Sequence, residues 1–239
     1  DIVHLPVRFA SQRGGMTEFL RINGHRGQSA THPENTLPAL REAVRLGANG
    51  VEFDVQPTAD GSVVLMHDRS PMRTTNLREV NRAKVGSWKS AQFAGIPVPT
   101  LRDVAHVFTD VSVRLVVELK AAQCDPRRFV RTALDDLGNR PNVTIMSFDR
   151  KIAEAALPLY NSVGLVTNRA PSAADLQLFD EFHVNAKRND RRLVEAVHRA
   201  GSTITAWTVD DPRTIERLHG IGVDAVTTNN VSAARPAFV

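Results

Sequence analysis

A chain of 239 residues with 42% hydrophobic and 23% charged side chains can bury one sizeable core and is too balanced in composition to be a disordered or low-complexity protein. Its formal charge of +4 suits small anionic ligands, but no basic run is interleaved with aromatics, which argues against a nucleic-acid groove. The single cysteine, Cys124, rules out an internal disulfide, and no apolar stretch reaches transmembrane length.

Residues 1–15 differ in character from the rest of the chain and contain no apolar signal region. Met16, followed by T-E-F-L, reads as a natural start. Residues 1–15 are therefore expected to be a leader, a processed end or an expression remnant, with 16–239 a single domain. A cytoplasmic location is expected, the alternative being an export signal cleaved before Asp1.

From Phe19 onward short apolar runs alternate with helical ones. F-L-R-I-N is a strand leading into an H-R-G turn. P-E-N-T opens a helix through Arg45, capped by Asn35 or Thr36, with Pro38 in its first turn and Gly47 as its stop. G-V-E-F-D-V is the second strand, and V-V-L-M-H, after the turn at Asp60–Gly61, is its hairpin extension. Residues 69–99 are polar and irregular, too long for a simple loop, and are read as an excursion that shapes a pocket. L-R-D-V-A-H-V-F is next, as a helix, and V-R-L-V-V-E-L-K is a buried strand. Further strands are V-T-I-M-S-F, S-V-G-L-V-T, E-F-H-V-N, T-I-T-A-W-T-V and D-A-V-T-T-N, with helices between them. Strands alternating with helices to a count near eight predict an α/β fold, a (β/α)8 TIM barrel with an irregular excursion after the second strand. No G-x-G-x-x-G or Walker loop supports an open doubly wound sheet instead.

Side chains two apart on a strand share a face, so Glu52 and Asp54 point together, as do Glu118 and Lys120. A lone E-x-D on a strand is most often a salt-bridged or solvent-facing pair. Several carboxylates in apolar strands, however, are costly to bury unless a cation offsets them. Three carboxylates without a thiolate suit one hard divalent cation, Mg2+ or Ca2+, held by Glu52, Asp54 and Glu118. In a barrel, function sits where strands end, which places His25, Arg26, His67, Lys120, Ser147, Phe148 and Trp207 at one mouth.

H-R-G at 25–27, P-E-N-T at 33–36, E-F-D at 52–54, H-D at 67–68 and E-L-K at 118–120 occur in that order. Weaker echoes are S-F at 147–148, A-W-T-V at 206–209 and V-D-A-V-T-T-N at 223–229. On these motifs the chain resembles the glycerophosphodiester phosphodiesterase family from Arg21 onward. The resemblance implies a TIM barrel with the metal and both histidines at the C-terminal mouth. It implies a metal-dependent phosphodiesterase that cleaves glycerophosphodiesters to glycerol 3-phosphate and an alcohol. His25 and His67 would be the acid–base pair, with His25 as acid and His67 as base. Arg26 and Lys120 would hold the phosphate oxygens, and Trp207 would be a platform for the alcohol.

Two other readings stay open. One is a related enzyme acting on lysophospholipids or sugar phosphodiesters, in hydrolysis or synthesis. The other is a barrel that binds a phosphodiester without turning it over. The expected partner is a small-molecule phosphodiester, not a nucleic acid, and oligomeric state is not legible. His106, His198 and His219 are read as surface residues on helices, His32 and His183 as minor candidates for the mouth, and Cys124 as an idle thiol. Glu34 and Asn35 are expected to hold Arg26 and cap the helix. Many relatives carry an aspartate and a proline near Asn229 and Asn230, and this chain does not, so no substrate contact is carried over there.

Overall fold

The computed structural model describes residues 19–68, 74–80, 85–120, 124–138 and 140–234. The 1–15 leader and His4 lie outside these, as does part of the 69–99 excursion.

The apolar-out, polar-in alternation of the strands closes them into a barrel. Its parallel strands are β1 (Arg21–His25), β2 (Gly50–Pro57), β4 (Arg114–Leu119), β5 (Val143–Ser147), β6 (Val163–Thr167), β7 (Glu181–Asn185), β8 (Thr203–Trp207) and β9 (Ala225–Thr228). Each pairs with its neighbour and β1 closes on both β2 and β9. The short β3 (Val63–Leu65) lies antiparallel on the end of β2, as the hairpin reading anticipates. The expected (β/α)8 architecture is the one observed. Among the described residues no helix is long and apolar enough to cross a membrane.

Val51, Phe53 and Val55 of β2, Leu115 and Val117 of β4, Ile145, Phe182 and Ile204 face outward and are buried. They pack in one core with Leu40, Val104, Val130, Ile152, Val194 and Ile215 from the surrounding helices. These helices start at side-chain caps: Thr36 before α1 (Leu37–Arg45) and a reciprocal Thr100–Asp103 box before α3 (Leu101–Val107). The excursion contributes the four-residue α2 (Leu77–Val80), and a short α9 (Val231–Ala234) comes after β9. Neither of these short helices is foreseen from the sequence.

The barrel interior is unusually polar at its N-terminal end. Arg114 at the start of β4 reaches across to Glu181 at the start of β7, Nη2 to Oε2 2.6 Å. Burial alone would raise the Glu181 carboxyl, but Arg114 and then His183 hold it at about 2. His198 is exposed on α7 (Arg191–Arg199), as expected, and its ring also bonds the buried Asp224 at 3.0 Å, which accepts from the Ile204 amide as well.

The turn after β1 has no room for a side chain at Gly27, where φ is 85° and a Cβ would fall 2.4 Å from the Ala39 carbonyl carbon. Gly27→Ala is expected to destabilise the protein by about 1–3 kcal/mol or more through the left-handed backbone and the collision. Urea unfolding reads this directly, and an unchanged midpoint would show that the turn can relax.

Candidate active site

Register, more than sequence proximity, builds the site. His25 lies opposite Glu52 across β1 and β2, and Asp54 lies opposite Glu118 across β2 and β4. Glu52, Asp54 and Glu118 are all buried, and each offers an oxygen within 4.8 Å of the others. His25, Arg26, Glu52, His67, Glu118, Lys120 and Trp207 line one cavity at the C-terminal ends of the strands. The cavity lining thus includes the predicted histidines, Arg26, Lys120, Trp207 and two of the carboxylates, and the third, Asp54, is bonded to the lining residues Arg26 and Lys120.

The carboxylates are not equally supported. Asp54 has the most partners: Lys120 Nζ at 2.9 Å, Arg26 Nε at 3.1 Å and the Asn35 amide at 2.8 Å. Burial would raise its pKa, but Lys120 and Arg26 hold it below the usual carboxylate range. Glu118 has Lys120 at 2.8 Å, yet burial and then the Asp54 charge push it up to about 7. Among the described residues, Glu52 accepts only the Arg26 backbone N–H, at 3.0 Å, with His25 Nε2 4.0 Å away. Burial, then Asp54 and Glu118, drive it well above its ordinary value. Lys120 is held above its ordinary value: burial acts against its charge, but Asp54 and Glu118 outweigh that. An oxygen-only, buried and underneutralised set of this kind fits a hard divalent cation.

The histidines differ. His25 is largely enclosed, burial lowers its pKa, and its Nδ1 meets Asn229 Oδ1 at 2.7 Å. His67 stands at the more open rim, beyond β3, with Nδ1 2.9 Å from Asp68 Oδ1. Arg26 is clamped by Glu34 at 2.7 Å, as expected. Asn35 does not cap the helix. Thr36 does, and Asn35, with φ 55°, instead exchanges two hydrogen bonds with Asp54.

The far wall is apolar. Met146, Val166, Phe148 and Trp207 line it, Phe148 and Trp207 meeting edge to face at 5.3 Å. Ser147 turns away and bonds the Leu119 carbonyl at 2.6 Å. His183 lines the cavity as well, in space left by Gly164, where a Cβ would be 3.1 Å from its ring. His32 does not reach the cavity and packs on Phe93 at 5.0 Å. Cys124 lies in a separate groove beside Pro57–Val63 and α4 (Pro126–Leu137). Asn229, weighed in the sequence only for a substrate contact, is the partner of His25 that the sequence reading did not foresee. The signal was available, since the last strand of a closed barrel lies beside the first and both end at the mouth.

A family model described as the glycerophosphoryl diester phosphodiesterase family matches residues 25–233. A glycerophosphodiester phosphodiesterase of Caldanaerobacter subterraneus is 30% identical over 87% of this chain and 93% of its own length. One from Bacillus subtilis is 34% identical over 94% of this chain and 88% of its own. Among solved structures, an Oleispira antarctica phosphodiesterase in complex with the product sn-glycerol-3-phosphate superposes with a TM-score of 0.84 at 26% identity. The superposition covers 91% of this chain and 96% of that one.

Because the folded protein raises the Glu118 pKa from 4.5 to about 7, the folded state binds the extra proton. The stability this group contributes is full below pH 4.5 and is lost as pH rises through about 7. In chelator, thermal unfolding between pH 5 and 8 should therefore show the wild type losing stability relative to Glu118→Gln as pH rises. Parallel profiles would mean that Glu118 is ionised throughout.

Proposed function

The chain belongs to the glycerophosphoryl diester phosphodiesterase family and is a phosphoric diester hydrolase, and we propose that it cleaves glycerophosphodiesters to glycerol 3-phosphate and an alcohol. The observation that carries this reading is the convergence of two histidines, two cationic side chains and the carboxylate cluster on one cavity. Glu52, Asp54 and Glu118 would hold one divalent cation, Mg2+ or Ca2+, which when bound supplies positive charge at a non-bridging phosphoryl oxygen.

The rest of the chemistry belongs to the chain's own side chains. Arg26 and Lys120 add fixed positive charge beside the phosphoryl group, each already oriented by carboxylates. His67, at the open rim where water enters, takes the proton of the attacking oxygen. His25, enclosed beside Glu52, gives a proton to the departing alcohol oxygen as its bond to phosphorus breaks. The attacking group is water or a neighbouring hydroxyl of the substrate, which would form a cyclic phosphate first. Trp207 and Phe148 receive the alcohol.

The apolar wall of Met146, Phe148, Val166 and Trp207 favours a second reading within the family, an alcohol that carries hydrocarbon, as in a lysophospholipid. A panel of glycerophosphocholine, glycerophosphoethanolamine, glycerophosphoinositol and lysophosphatidylcholine, run with Mg2+, Ca2+ and chelator, separates the two. Activity indifferent to chelation would remove the cation from the mechanism.

His25→Ala and His67→Ala should each lower kcat by about 10²- to 10⁴-fold, with cation binding by calorimetry unchanged. An acid is needed less when the leaving group is already a weak base. With a p-nitrophenyl ester, His25→Ala should regain most of its lost rate, whereas His67→Ala should not. The opposite pattern would exchange the two roles.

A further inference from the structure

Acid–base work by an imidazole requires one nitrogen to face the substrate and the other to be held. We infer that Asp210, acting through Asn229, keeps the hydrogen on His25 Nδ1 and so confines proton exchange with substrate to Nε2. This rests on the proposed role of His25, and it adds two positioning residues from the opposite end of the chain.

The direction of each hydrogen bond is set by the chemistry of the groups. An ionised carboxylate can only accept. Asp210 accepts from the Asn229 backbone N–H at 2.7 Å, from Asn229 Nδ2 at 2.7 Å and from the Thr228 hydroxyl at 2.9 Å. The Asn229 amide is therefore turned with its NH2 toward Asp210 and its carbonyl oxygen away. That oxygen lies 2.7 Å from His25 Nδ1 and also takes the Ser29 hydroxyl at 2.9 Å. A carbonyl oxygen can only accept, so Nδ1 must be the donor.

The ring is left with Nε2 toward the cavity and 4.0 Å from Glu52 Oε2. When the alcohol leaves, its oxygen takes the hydrogen from Nε2, and the other hydrogen stays on Nδ1, still donated to Asn229 Oδ1. No reorientation of the ring is needed between the charged and neutral forms. Gly24 pairs with Thr228 across β1 and β9, which sets Asn229 beside His25 at the strand ends. Asp210 comes from the loop after β8, so three successive segments of the barrel rim fix one imidazole. Asp210 is itself exposed, so it acts by orienting the Asn229 amide and not by a field felt at the ring.

The test combines kinetics with ¹⁵N spectra of the histidine rings, recorded on the Mg2+-supplemented full chain. The proteins are wild type, Asn229→Ala, Asn229→Asp, and the double variant that adds Asp210→Asn to Asn229→Asp. In the wild type, neutral His25 should show a protonated Nδ1 and a bare Nε2. Asn229→Ala should mix the two tautomers and lower kcat by about 10²-fold, with KM changed by no more than about twofold. Asn229→Asp alone sets two carboxylates face to face and should be impaired. The double variant exchanges amide and carboxylate, restores every donor–acceptor pair, and should recover kcat at least about tenfold over Asn229→Asp.

A wild-type spectrum with Nε2 protonated in the neutral ring would overturn the inference. So would Asn229→Ala with unaltered kcat, or a double variant that melts like wild type yet is no faster than Asn229→Asp. If wild type hydrolysed no phosphodiester, the proposed function would fall, while the tautomer in the spectra would still decide the inference.

Discussion

Buried charge at the mouth of the barrel is the constraint on which the rest depends. Three carboxylates are taken out of water there against two basic side chains, Arg26 and Lys120. The imbalance falls unevenly. Among the described residues, Asp54 is surrounded by donors, Glu118 shares Lys120 with it, and Glu52 has a single backbone N–H. Isolated ionised carboxylates are too costly to leave in such a setting, so each must find a proton or a cation. The cluster is therefore not a stabilising salt-bridge network in the ordinary sense. A cation held among the carboxylates, as proposed, would offset that cost.

Holding such a cluster together requires a frame that does not yield, and the closed barrel provides it. The paired strands fix Asp54 beside Glu118 and His25 beside Glu52 by register alone, before any side-chain attraction is counted. A slip of one residue in β2 would turn Val51, Phe53 and Val55 inward and Glu52 and Asp54 into the helical layer. The outward apolar set is wholly buried against the helices, so the hydrophobic core and the active site enforce the same register from opposite faces of one strand. At the other end of the barrel, the Arg114–Glu181 pair crosses the interior between strands that are not neighbours, giving the floor a polar brace where most such barrels carry aliphatic layers.

Legibility in the sequence is a matter of range. The i, i+2 spacing of Glu52 and Asp54, the capped helices and the alternation of strands and helices are local patterns, and each is found as expected. Asp54 beside Glu118 was reachable because both lie on adjacent parallel strands with carboxylates at matching ends. Asn229 beside His25 was harder to reach, since 204 residues separate them and only barrel closure makes them neighbours. The same holds for Arg114 with Glu181 and His198 with Asp224, whose partners depend on how far each strand is staggered. Asn35 was misread for a different reason. Asparagine is a good helix cap, but with Thr36 already in that place its amide was free to bond Asp54.

None of the described residues of the excursion lines the cavity, but the excursion is fastened to the loop after β1. Lys89, on the described part of that segment, donates to the Ser29 carbonyl at 2.7 Å, and Phe93 packs on His32. Both contacts fall on the loop after β1, the loop that carries Arg26 and whose Ser29 hydroxyl bonds Asn229. The segment expected to shape the pocket is therefore fastened to the same loop that helps to orient His25. A change at Lys89 would reach the imidazole through Ser29 and Asn229, three hydrogen bonds away, without touching any residue that lines the cavity. Sequence variation in such an excursion is then not free to act alone, because the loop it rests on is also bonded to the residue that holds His25.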